Sequence, residues 1–87
     1  MRDKRKGGTA VSAITREIPS RDLKPGTLYK MIHVRKGTAI VECVRPSDDG
    51  GEFIVREGEL HGIYDYYGPG DTFRTVNNLA AFYPCQN

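Results

Sequence analysis

TLYKMIHVR at residues 27–35, Lys36-Gly37, and TAIVECVR at residues 38–45 form the stretch that decides the fold. Both arms are rich in β-branched and aromatic side chains, and a tight Lys-Gly turn divides them. That is the pattern of an antiparallel hairpin. In the first arm Leu28, Ile32 and Val34 share a face with Lys30, and Tyr29, Met31 and His33 share the other. In the second arm Ala39, Val41 and Cys43 alternate with Ile40 and Val44. Both faces are apolar, which places the hairpin in mid-sheet or in a barrel wall.

Working outward, turn signals recur about every ten residues, the rhythm of a small sandwich or barrel. They are Pro25-Gly26, the cluster Pro46-Ser-Asp-Asp-Gly-Gly51, Gly58, Gly68-Pro69-Gly70 and Asn77-Asn78. Between them lie four further β-like runs: residues 52–57, 60–67, 71–76 and 79–83. Residues 11–18 are strand or short helix, ended by Pro19, which fixes φ and offers no N–H. The expected architecture is all-β: a five- to six-stranded antiparallel barrel or roll over residues 11–87, preceded by a flexible basic arm at 1–10. Closure would remove exposed strand edges; an edge left open would pair with a second copy. Leu28, Ile32, Val34, Val41, Val55 and Phe73 are the expected core.

The chain has 87 residues, enough for one domain with a thin core. Its apolar fraction is a low 38%, but five Tyr and three Phe supply core material that disordered chains lack. No apolar run reaches the roughly 20 residues needed to span a bilayer. The basic start runs into Gly7-Gly8-Thr9 rather than the apolar stretch of a secretory leader. Two cysteines, Cys43 and Cys85, are too few for a disulfide scaffold and read as free thiols of a cytoplasmic protein. Charge is unevenly spread: the balance is +4 over residues 1–24, +3 over 25–46 and −5 over 47–87. The molecule would be dipolar if the fold kept those segments apart.

Catalytic and metal signatures are missing from the sequence. His33, His61, Cys43 and Cys85 do not stand at metal-ligand spacing, and no nucleophile has a base at motif distance. A strand over 60–67 sets Glu59 and His61 on different faces, against an acid/base pair. Asp48, Asp49 and Glu52 read as a solvated hairpin tip, since a calcium loop needs regularly spaced oxygens. No enzyme activity, cofactor or metal is therefore expected.

The densest recognition signal is Ile63-Tyr-Asp-Tyr-Tyr-Gly-Pro-Gly-Asp-Thr-Phe73, with three tyrosines in four positions beside a stiff loop. Tyrosine gives large contact area at low entropy cost. An alternating strand would group Tyr64 and Tyr66 with Leu60, and Tyr67 with Ile63, so one set should be surplus to the core. The expected contact residues are Tyr64, Tyr66, Tyr67, Pro69, Asp65 and Asp71, the carboxylates favouring a basic protein partner. The leading expectation is thus a binding module acting by protein–protein contact, by analogy with small β modules that serve phages and mobile elements as inhibitors or adaptors. A rival reading puts Arg2, Lys4, Arg5, Lys6, Lys30, Arg35, Lys36 and Arg45 on nucleic-acid phosphates, with tyrosines stacking on bases. A third makes the roll a holder of a small ligand.

Two partial resemblances bear on this. Tyr64-Asp65-Tyr66 followed by Asp71-Thr72-Phe73 resembles the opening motif of Src-homology-3 domains. That motif begins the family's domain but stands late in this chain, so the peptide-groove role does not carry over. Pro25-Gly26 to Tyr29, Lys36-Gly37 to Val41, Gly51-Glu52 and Gly68 to Phe73 together are similar to the strand rhythm of cyclic-nucleotide-binding and cupin-like rolls. Arg74 stands where the first family has glycine, and the metal histidines of the second are missing. The resemblance implies a β-roll and no ligand.

Overall fold

The computed structural model describes residues 16–85. The basic arm, with Arg2, Lys4, Arg5 and Lys6, and most of segment 11–18 lie outside the described residues. After a 3-10 turn at Ser20–Asp22 come β1 (Leu28–His33), β2 (Gly37–Ser47), β3 (Gly50–Gly58), β4 (Leu60–His61), β5 (Tyr66–Tyr67), β6 (Thr72–Thr75) and β7 (Ala80–Pro84). Five strands make one antiparallel sheet in the order β6-β3-β2-β1-β7, and β4 pairs with β5 as a separate ribbon. The mostly-β antiparallel expectation therefore holds. No ladder joins β6 to β7 among the described residues, so the sheet has two ends.

The hairpin around Lys36-Gly37 forms as expected, with Leu28 opposite Glu42 and Lys30 opposite Ile40. Its inward face is the other one. Tyr29, Met31 and His33 are buried, whereas Val34 is 70% exposed and Leu28 and Ile32 are partly exposed. Val41, Val55 and Phe73 are buried as expected. Composition alone left the choice of face open. What decides it is how the sheet curls.

That curl comes from the link between β6 and β7. Strands at opposite edges of a flat five-stranded sheet would lie about 19 Å apart, at about 4.8 Å per step. Only Val76–Leu79 connects them, and Asn77 and Asn78 sit in a left-handed turn with φ of 59° and 56°. Asn78 N donates to Asp49 O (2.9 Å), just past the end of β2, and Val34 N donates to Leu79 O (2.9 Å), just before its start. A straight 11-residue strand would hold those places about 33 Å apart. Instead β2 bends; its pairing with β3 shifts at Ile40/Val41, where Arg56 of β3 is the extra residue, and at Cys43/Arg45, where Val44 of β2 is, with the added twist expected of bulges.

Asp49 anchors the bend. Its carboxylate accepts from Asn77 N (3.0 Å) and from Ser47 Oγ (3.2 Å). The acidic turn read as a solvated tip is thus, at Asp49, a structural clasp. Gly50 beside it has φ 156°, and a Cβ there would stand 2.0 Å from Thr75 O, so only glycine lets β6 come this close.

Inside the curl Phe53 stacks on Phe82 at 4.8 Å and on Phe73 at 5.7 Å, with Met31, Val41, Val55 and Leu60 wholly buried around them. Tyr29 is buried with its hydroxyl accepting from Lys24 N at 2.8 Å, which satisfies the polar end of an otherwise apolar ring. At the β7 edge Ile18 N donates to Phe82 O (2.8 Å). Pro84, two residues on, has no N–H to offer a further strand, which blunts that edge. Phe53→Ala and Phe73→Ala should each cost about 3–5 kcal/mol in urea unfolding, and Val34→Ala no more than about 0.5 kcal/mol.

Candidate functional site

The tyrosine-rich stretch is a clamped hairpin rather than one strand. β4 and β5 pair Leu60 with Tyr67 and His61 with Tyr66, and Gly62 to Asp65 turn between them. The expected grouping of Tyr64 and Tyr66 with Leu60 fails for this reason. Leu60 points wholly into the core, while Ile63 and Tyr64 ride at the tip, 90% and 97% exposed. Gly62 is the one signal in the sequence of a break within 60–67.

The base of the hairpin is held from three sides. Leu60 is buried, and the Tyr67 ring lies 5.7 Å from Phe73. Lys36 Nζ, from the β1–β2 turn, lies 3.0 Å from both carboxylate oxygens of Asp65. Tyr67 OH also donates to Asp65 Oδ2 (3.1 Å), and the Lys36 ammonium sits 5.9 Å from the Tyr67 ring centroid. His61 N donates to Lys36 O (2.9 Å), and Gly62 N to Asp65 O (2.8 Å). A Cβ on Gly62 would collide with the Asp65 carboxylate, so a larger residue there would displace the Lys36–Asp65 pair. Lys36 holds the Asp65 carboxyl below its ordinary range, while burial and then Asp65 push the Tyr67 phenol up.

Beside the tip lies a second polar group. Glu59 Oε1 and His61 Nε2 are 3.0 Å apart. The two residues are separated by one position, so they share a face of the chain, and the opposite-face expectation is corrected. His61 meets the ring of Tyr66 edge-on at 5.0 Å. The Tyr66 hydroxyl lies over Gly68, where a Cβ would come within 2.7 Å of it. Hydrogen bonds from His61 and Tyr66 lower the Glu59 carboxyl; burial, then Glu59, raises the Tyr66 phenol. Gly58, Glu59, His61 and Pro69 line a shallow hollow of about 450 Å³, open to solvent.

The Gly68-Pro69-Gly70 loop that forms one wall is fixed by Asp71. Its Oδ2 accepts from Gly68 N (2.8 Å), Asp71 N donates to Gly68 O (3.0 Å), and Gly70 N donates to Val55 O (2.7 Å). The fold thus brings Tyr64, Tyr66, Asp65, Pro69 and Asp71 to one region and turns Tyr67 partly into the core. Sequence reasoning missed Ile63, Glu59 and His61 as members of it.

Of the basic residues expected on phosphates, Arg2, Lys4, Arg5 and Lys6 lie outside the described residues, and the other four are spread along the first hairpin. Lys30 stands mid-sheet on β1, Arg35 and Lys36 lie in the β1–β2 turn with Lys36 tied to Asp65, and Arg45 sits near the far end of β2. His33 is buried, with Nδ1 accepting from Arg35 N at 3.1 Å, which leaves its proton on Nε2. Cys43 is buried and Cys85 half-buried, both free thiols, and burial raises the Cys43 thiol. Among the described residues no cluster of three His, Cys, Asp or Glu could hold a metal ion, and no helix is long and apolar enough to cross a membrane. No family model, curated protein or solved structure matches the chain.

Burial lowers the His33 pKa from its ordinary 6.5, with Lys36 and Arg35 adding to the effect. The unfolded chain therefore takes the proton first. Stability is full above 6.5 and falls as the pH drops below it toward the depressed folded value. Urea midpoints measured between about pH 7 and pH 5 should show this slope, and His33→Gln should flatten it. Asp65 works from the other end of the scale: its pKa is depressed, so its contribution is present above the unfolded value and lost as pH falls through the folded one. Asp65→Asn should speed hydrogen exchange at the amides of His61 and Gly62 at neutral pH while the five-stranded sheet stays protected.

Proposed function

We propose that this chain is a small non-enzymatic binding module, an inhibitor or adaptor, that works by protein–protein contact through the β4–β5 tip. One observation carries the reading: Ile63 and Tyr64 are almost wholly exposed at the end of a hairpin whose base is clamped by Leu60, Tyr67 and the Lys36–Asp65 pair. Two large apolar side chains held out on a stiff support lose little entropy on contact, the condition under which a few residues carry most of a binding energy. Tyr66, Pro69 and the hollow beside them extend the contact surface.

The partner that fits has an apolar pocket for Tyr64 and Ile63 with basic groups at its rim, opposite Glu59 and Asp71. Asp65 is neutralised by Lys36 and adds little to that attraction. The same arrangement weighs against nucleic acid, since the tyrosines sit among carboxylates and Lys36 is committed to Asp65. The openness of the hollow weighs against a small ligand, which pockets usually enclose. The free thiols suit a reducing compartment such as the cytoplasm.

Capture of partners from the source cell, with and without nuclease, tests the reading. A specific protein should be retained after nuclease treatment. Tyr64→Ala should weaken its capture by about 30-fold, a hot-spot effect of about 2 kcal/mol, without shifting the melting temperature. Capture that disappears with nuclease, or that is indifferent to changes at both Ile63 and Tyr64, would overturn it.

A further inference from the structure

The outward face of the sheet has no place in the tip's work, yet it is unusually apolar for a solvated surface. Antiparallel sheets with one wet side normally alternate apolar and polar residues cleanly. Here the outward positions include Leu28 and Ile32 on β1, Ile40 and Val44 on β2, Ile54 on β3 and Tyr83 on β7. This is the second apolar face visible in the sequence of the hairpin, and on it Leu28, Ile32 and Val44 stand exposed among the described residues.

Its centre has a specific pattern. The register sets Leu28 opposite Glu42 and Lys30 opposite Ile40. These four outward side chains occupy the corners of a rectangle about 4.8 Å across the strands and about 6.7 Å along them. Leu28 and Ile40 take one diagonal, Lys30 and Glu42 the other, and the diagonals cross at about 70°. Consider a two-fold axis lying in the plane of contact, perpendicular to the charged diagonal at its midpoint. It places Lys30 of each copy on Glu42 of the other. The apolar diagonal falls about 20° from that axis, so Leu28 and Ile40 pack close to their own counterparts. Glu42 suits the exchange, because both bonds from Arg56, at 2.9 Å and 2.7 Å, go to Oε1. Its Oε2 takes no bond from Arg56.

We propose that the outward face of β1 and β2 is an isologous homodimer interface, with Leu28, Lys30, Ile40 and Glu42 as its self-complementary centre. The pattern selects the occupant. A nucleic acid would meet Glu42 at the centre of the patch, and a lipid surface would have to desolvate both charges. A second copy turned by the two-fold satisfies both charges and buries the apolar pair. Dimerisation through this face leaves the β4–β5 tip of each copy outside the contact and does not depend on the function proposed for it.

Sedimentation equilibrium on the full chain, from about 1 μM to about 1 mM, is the test. The mass should climb from 9.7 kDa toward twice that value. Lys30→Glu and Glu42→Lys should each weaken self-association at least tenfold, through like charges facing across the axis. An equimolar mixture of the two variants should dimerise again, because every facing pair is then of opposite sign. A wild-type chain that stays at 9.7 kDa over the whole range overturns the proposal, whatever the variants do. So does a mixture that associates no better than either variant alone, with circular dichroism showing both folded.

Discussion

Four residues between β6 and β7 have to bridge the two edges of a five-stranded sheet, and most of the architecture follows from their shortness. Asn78 and Leu79 are adjacent in the chain, yet one bonds next to the end of β2 and the other next to its start. β2 is bent to permit this, and the two shifts in its pairing with β3 add to the twist. Curling encloses one face of the sheet and leaves the other convex. The enclosed space is small, and a stack of three phenylalanines with a few aliphatic side chains fills it. It is small enough that His33 is drawn in uncharged and that Gly50 has to stand where β6 presses closest. Thr75 Oγ1, buried without a partner, lies in this same tight region.

The legible part of the fold was what local chemistry decides. The Lys36-Gly37 hairpin, the Asp48-Asp49 turn, the Gly68-Pro69-Gly70 turn and the antiparallel character could be read from turn residues and β-branched runs. The inward face of β1 could not. Leu28, Ile32 and Val34 are as apolar as Tyr29, Met31 and His33, so alternation showed two faces without ranking them. The choice is made by a contact between Val34 and Leu79, distant in sequence and invisible to a pattern of period two. Leu60–Tyr67 failed differently. A run of β-formers was read as one strand although Gly62 lay inside it, and the turn that results depends on Lys36, a residue from another hairpin. The tyrosines mark the proposed contact region, but alternation along a single strand does not single out Ile63, and it is positions two apart, such as Glu59 and His61, that share a face.

The uneven charge of the chain also takes on a different meaning in three dimensions. The fold does not keep the basic segment 25–46 and the acidic segment 47–87 apart, since β2 pairs with β3 along its length. Two ion pairs join them: Arg56 of β3 reaches Glu42 of β2, and Lys36 meets Asp65. Exposed pairs of this kind are individually worth little.

The clamped hairpin has one more property. Every group that fixes it belongs to its base or to the core, whereas Ile63 and Tyr64 contribute almost nothing inward. A turn with pinned ends and an idle centre behaves as a replaceable cassette. Its tip can accept other side chains, or a longer insert, at a loop-closure cost that grows only slowly with length. The same sheet could then present a new recognition sequence without altering any residue that folds it.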